Sequence, residues 1–175
     1  MHPSLQRVFD ELEAQRIQTL QMISHLTVDH LNRRRKEGKW SIAEILSHII
    51  TAERLSVQYV TKKLNGIDQT RNSGWWEDFK ISLLSISQRF PGLRFKAPKP
   101  VLDKTVIYKT MPQLETEWTQ VRKELRDILD GIPHEKINRL VYRHVIAGYL
   151  NPRHALIFFR EHLIHHIPQI RRLLH

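Results

Sequence analysis

The chain contains no cysteine. That excludes a disulfide scaffold, a Cys-ligated zinc site, a cysteine-held iron–sulfur cluster and a thiolate nucleophile supplied by the protein. Glycine is scarce, with six residues in 175, and these lie mainly between periodic segments, a pattern that favours long helices. No apolar run approaches the roughly 20 residues needed to span a bilayer, and the opening MHPSLQRVFDELE has no apolar signal core. A cytoplasmic setting without a membrane partner is therefore the expectation. Basic residues and histidines, by contrast, are plentiful. Lys and Arg number 28 against 18 Asp and Glu, for a net charge of +10, and there are 11 histidines. A hydrophobic fraction of 41% suffices for a real core. The length fits one domain, taken here as residues 1–175.

Helical spacing dominates the apolar pattern. Leu5, Val8, Phe9, Leu12, Ile17, Leu20, Ile23 and Leu26 predict a first helix over 4–26. The stretch TVDHLNRRRKEGK that follows is polar and charged, and reads as a connection with a short turn. Ser41 with Glu44 forms a capping box, flanked by Trp40 and Ile45 as a hydrophobic staple. It opens a second helix that runs to Leu64 and stops at Asn65-Gly66. Trp76, Phe79, Leu83, Ile86 and Phe90 predict a short helix near 75–90, ended by Pro91-Gly92. RFKAPKPVLDK then reads as an extended loop, since Pro98 and Pro100 oppose helix.

Thr110 with Gln113 is a second capping box, followed by the stripe Leu114, Trp118, Val121, Leu125 and Ile128 up to Asp130-Gly131. After a further connection, Asn151 as N-cap and Pro152 at the first helical position open the last long helix. Pro168 inside it removes the hydrogen bond to the Ile164 carbonyl and predicts a kink. The expected fold is all-α: four main helices with long connections, at least one of them a crossover.

Two groups of histidines carry candidate chemistry. His162 and His166 are four apart and stack on one helical face, flanked by Ala155, Phe158, Phe159, Gln169 and Ile170. Imidazoles so spaced can chelate one divalent metal, although no Glu follows His162 as it does in the helical motif of metalloproteases. His165 sits one step around, toward the boundary or surface. His48 lies in the stripe of Ile45, Ala52 and Leu55, and a buried imidazole there must find a partner. Each of these can equally be a hydrogen-bonded core histidine, because the spacing permits chelation without requiring it. Three neutral nitrogen ligands would suit Zn²⁺, Ni²⁺, Fe²⁺ or Co²⁺.

GKWSIAEILSHIITAERL (38–55) resembles a signature of the DinB-like (DinB/YfiT) family: Trp-Ser, then Glu, then His within the second helix. RHVIAGYLNPRHALIFFREHLIHHIPQI (143–170) resembles its other signature, a His…Gly loop followed by His-x-x-x-His-x-x-Gln. RFKAPKPV resembles the loop such proteins carry after the second helix, and Val145 stands where a proline is common. The resemblance implies an up-down-down-up four-helix bundle, with the short extra helix placed in the crossover between helices 2 and 3. It implies one divalent transition metal (zinc, nickel or iron) held by His48, His162 and His166. Gln169, Glu44 and Glu161 are candidate partners for imidazole N–H groups, with Gln169 favoured by its place on the ligand face and Glu44 read chiefly as a helix cap.

The resemblance also implies metal-dependent thiol chemistry. Some relatives transfer bacillithiol or mycothiol, and others isomerise with a thiol cofactor. The expected partners are thus a small-molecule thiol and an electrophilic substrate, with a related hydrolase or isomerase also open. The missing cysteine fits, since the nucleophile would arrive from outside. Two other readings stand beside this one. The first is a noncatalytic metal-binding or interaction bundle, which could be a homodimer through a bundle face. The second is nucleic-acid binding, supported only by charge: Arg33-Arg34-Arg35-Lys36, Lys62-Lys63 and Arg171-Arg172 are dispersed, and the last two sit at helix C-termini where cations are favoured anyway.

Overall fold

Local capping chemistry sets where each helix begins. The computed structural model describes residues 1–89 and 99–174. Helix α1 spans Pro3–Ile23, its first turn capped by His2, whose Nδ1 accepts from the Ser4 amide. The stretch read as a plain connection contains a short helix α2, Val28–Asn32, whose N-cap Thr27 accepts from the His30 amide. One and a half turns are too few for apolar periodicity to register. Helix α3 spans Ile42–Leu64 behind the Ser41/Glu44 capping box. Helix α4 covers Trp75–Arg89, and buried Glu77 satisfies the Gly74 amide at its start.

Residues 94–104 differ from expectation where they are described. Lys99–Lys104 form a short helix α5 instead of continuing as extended chain. Pro100 is its second residue, where a missing N–H is no loss because first-turn amides have no intrahelical acceptor. Phe90, the Pro91-Gly92 stop, Pro98 and most of the RFKAPKPV loop lie outside the described residues. Helix α6 spans Met111–Asp130 behind the Thr110/Gln113 box. A two-stranded antiparallel hairpin follows, β1 (Tyr142–His144) with β2 (Gly148–Leu150). Gly148 enters β2 with φ +73°, a conformation that other residues rarely adopt. Helix α7, Pro152–Leu173, continues through Pro168.

Four long helices, α1, α3, α6 and α7, enclose a core built from Phe9, Leu12, Leu46, Ile49, Trp118, Leu156 and Phe159 among others. Their relative directions can be read from side-chain pairs. Ser47 meets the Tyr108 amide, and Glu53 meets Trp118 and Arg122, so positions ascend together and α3 runs parallel to α6. Met1 meets Asp130 and Arg16 meets Thr119, so α1 and α6 are antiparallel. Asp78 meets His154, and Gln88 meets His165, so α4 lies parallel along α7. The spacing that announces α4 lies on its outer face: Trp76, Phe79, Leu83 and Ile86 are exposed, while Glu77, Ile81, Leu84 and Gln88 turn inward.

Candidate metal centre

The three histidines read from α3 and α7 are brought together. His48 sits two turns into α3, on the face occupied by Ile45 and Ile49. His162 and His166 share one face of α7, whose start is fixed by Asn151: its Oδ1 accepts from the His154 amide and its Nδ2 donates to Ser73 Oγ. Each of the three offers a ring nitrogen, and these nitrogens all lie within 4.8 Å of one another. The Nε2 atoms of His162 and His166 are 3.2 Å apart. Aromatic rings support the cluster from both sides. Trp40 tilts against His48 at a centroid distance of 5.0 Å, and Phe158 stacks on His162 at 5.5 Å and 13°.

Hydrogen bonding decides which nitrogen is bare. His166 Nδ1 lies 3.1 Å from Gln169 Oε1. The amide oxygen can only accept, so Nδ1 carries the proton and Nε2 presents its lone pair toward His162. Burial lowers all three imidazoles: His48 to about 4, His166 to about 3, and His162 well below its ordinary value, with neighbouring imidazoles adding to the effect on the α7 pair. Neutral imidazole is the ligating form.

A nitrogen pair so placed shares either a proton or a cation. Two ligands about 2.0–2.1 Å from one zinc, at angles between square and tetrahedral, stand about 2.9–3.4 Å apart, and the 3.2 Å pair falls in that interval. His48 Nδ1 is buried with no hydrogen-bond partner among the described residues. Three neutral nitrogen donors therefore fit a borderline transition metal better than a hard cation such as Mg²⁺ or Ca²⁺, which seeks oxygen.

Two candidate supports from the sequence go elsewhere. Glu44 caps α3 and pairs with Arg34. Glu161 is taken by Arg89 at 2.6 Å and Arg160 at 2.9 Å. Neither reaches an imidazole. Gln169 does, and half-buried His165 donates from Nδ1 to the Gln88 carbonyl at 2.9 Å.

The cluster lines a cavity of about 510 Å³ walled by α3, α4, α5, the hairpin and α7. Apolar groups such as Leu55, Leu84, Val101 and Phe158 make most of the wall. Sequence reasoning passed over two polar groups there. Gln88 is one, and its signal is a glutamine in register with buried Ile81 and Leu84. A second is the Tyr142 hydroxyl, which lies 3.0 Å from Ser56 Oγ; Ser56 donates to the Ala52 carbonyl, so the tyrosine donates to Ser56. His144, the histidine of the His…Gly loop, lines the cavity as well, placed by a hairpin that periodicity does not reveal.

Neither a curated protein nor a solved structure gives a match to this sequence. A family model does: that of the DinB superfamily, over residues 11–170. Its span includes both helices that bring the histidines together and the hairpin between α6 and α7. The chain therefore belongs to the DinB superfamily.

Proposed function

We propose that the chain holds one divalent transition metal (zinc, nickel or iron) on His48, His162 and His166, and transfers a low-molecular-weight thiol of the bacillithiol or mycothiol type to an electrophilic substrate in the cytoplasm. The observation that carries the reading is three neutral imidazoles converging on a cavity large enough for a small molecule. Bound there, the metal would supply the Lewis acidity that turns an incoming thiol into a thiolate at neutral pH. In the transfer, sulfur forms a bond to the electrophilic carbon as the bond to the leaving group breaks. The leaving group takes that electron pair, and the thiol proton passes to solvent.

The protein's residues prepare the site. Gln169 holds His166 in the tautomer with a free Nε2, and Phe158 and Trp40 fix the planes of His162 and His48. The apolar wall keeps competing water from the electrophile. In a panel of electrophiles with bacillithiol, mycothiol, coenzyme A and glutathione, thiol-dependent turnover is expected in the metal-loaded protein and absent after chelation. No turnover with any thiol would leave a noncatalytic metal bundle as the reading.

The outer face of α4 supports a homodimer. Trp76, Phe79, Leu83 and Ile86 are each more than half exposed, and Trp75 is 77% exposed. Together these side chains present on the order of 600 Å² of apolar surface, at the upper end for a monomer. That approaches the ~800 Å² that one partner of a standard interface contributes, which a second copy meeting α4 about a two-fold axis would cover. Light scattering should give twice the chain mass for the wild type and the single mass for Phe79→Glu/Leu83→Lys. A wild type that stays monomeric up to millimolar concentration would refute the dimer.

A further inference from the structure

The described lining of the cavity carries little charge although the chain as a whole is strongly basic. Among the described lining residues only Arg143 carries a formal charge, and it is an exposed side chain whose guanidinium lies over the Tyr149 ring at 5.6 Å. What the described wall offers a ligand is chiefly hydrogen bonds and shape. Two lining groups have fixed, complementary hydrogen-bonding character.

The first is His144. Its Nδ1 faces the amides of Ile146 and Ala147 at 3.2 and 3.0 Å. A backbone amide can only donate, so Nδ1 is the acceptor and the ring proton resides on Nε2. The turn between β1 and β2 thus locks the tautomer. Phe158 packs against the ring at 4.3 Å and steadies its plane. Burial lowers this imidazole to about 4, which keeps it a neutral donor across physiological pH.

The second is Gln88. The side chain is 6% exposed, it lines the cavity, and its Oε1 is buried with no hydrogen-bond partner among the described residues. Leaving a buried acceptor unpaired is unfavourable, so a ligand donor that reaches this oxygen as the wall adjusts gains a partner. The Gln88 backbone is meanwhile held by the His165 ring. The hairpin wall of the cavity thus holds a residue with a free N–H, and the α4 wall one with an unpaired oxygen.

We infer that the cavity recognises an uncharged secondary amide in its small-molecule partner, with His144 Nε2–H donating to the amide oxygen and Gln88 Oε1 accepting from the amide N–H. This deepens the reading above by naming the functional group that the thiol or its cosubstrate presents, and it rests on that reading only for the use of the cavity.

The test uses the full-length protein as purified and two probes of matched shape, N-cyclohexylacetamide and its ester counterpart cyclohexyl acetate, with binding followed by NMR titration. The amide should bind about tenfold tighter than the ester, the ratio expected for one buried hydrogen bond. Gln88→Leu should bring that ratio to about one while leaving ester binding in place. In His144→Asn, the asparagine Oδ1 can still accept from the turn amides while the distal donor is gone, so affinity for both probes should fall by about fivefold. Long-range ¹H–¹⁵N correlations should place the His144 proton on Nε2.

Equal binding of amide and ester, an unchanged ratio in Gln88→Leu, or no binding of either probe at millimolar concentration overturns the inference. So does a His144 proton on Nδ1, or unchanged affinity in His144→Asn. Metal content measured on the same samples reports separately. A metal-loaded chain without amide preference loses this inference alone, and a metal-free chain with it loses only the metal reading.

Discussion

A Glu53→Ala variant is expected to unfold with a free energy about 3–5 kcal/mol lower than the wild type. Glu53 and Arg122 are 1% and 2% exposed and meet in two parallel bonds, Nε to Oε2 at 2.9 Å and Nη2 to Oε1 at 2.7 Å. The Trp118 indole donates to the same Oε2 at 3.0 Å. Burial pushes the Glu53 carboxyl up, while Arg122 and Trp118 pull it back. Removing the carboxylate leaves a guanidinium in the core with Glu13, 3.5 Å from Nη1, as its remaining counter-charge among the described residues. It also orphans an indole N–H.

The double variant Glu53→Leu/Arg122→Met should recover most of that loss, because a well-packed apolar pair can replace a buried ion pair at little net cost. Urea denaturation of the three proteins measures this directly. A single-variant loss below about 1 kcal/mol would mean the core relaxes around the stranded arginine. These bonds also set the register of α3 against α6, five residues along α3 from His48.

The second large effect concerns metal content. Elemental analysis of untagged wild type should give about one divalent transition metal per chain, and His48→Ala/His162→Ala should give essentially none. Gln169→Ala should retain the metal with affinity lowered about 10–100-fold, since loss of the supporting oxygen frees the His166 tautomer and ring orientation. Added metal at about one hundred times its Kd should stabilise the wild type by about 2.7 kcal/mol, with no effect on the double variant. Full metal content in a folded double variant would refute the ligand assignment.

Helix starts were legible because capping is local. Ser41 with Glu44, Thr110 with Gln113, and Asn151 with Pro152 each declare themselves within four residues, and the structure shows all three caps in place. The His162/His166 pairing was legible for the same reason, and His48 because an imidazole in an apolar stripe is conspicuous. Which face of a helix turns inward was less accessible. On α4 both the Trp76–Ile86 stripe and the Ile81, Leu84, Gln88 set have helical spacing, and only packing against α7 decides between them. The characters of His144 and Gln88 were beyond reach because one is set by a hairpin turn and the other by the lack of a partner among the described residues. Both are properties of tertiary structure, to which no spacing rule refers.

The parallel course of α3 and α6 has an entropic consequence. Contacts between them and their flanks close loops of 61, 65 and 69 residues, since a chain that leaves one end of the bundle must return before descending again. Loop-closure entropy grows only logarithmically, about 0.6 kcal/mol for each doubling of length. A returning segment long enough to carry a helix is therefore scarcely less favourable than the shortest one that could reach. Here that segment carries α4, which lies along α7 and shelters the imidazoles. The covering wall of the cavity is in this sense a by-product of connectivity, obtained at almost no thermodynamic loss to the bundle it encloses.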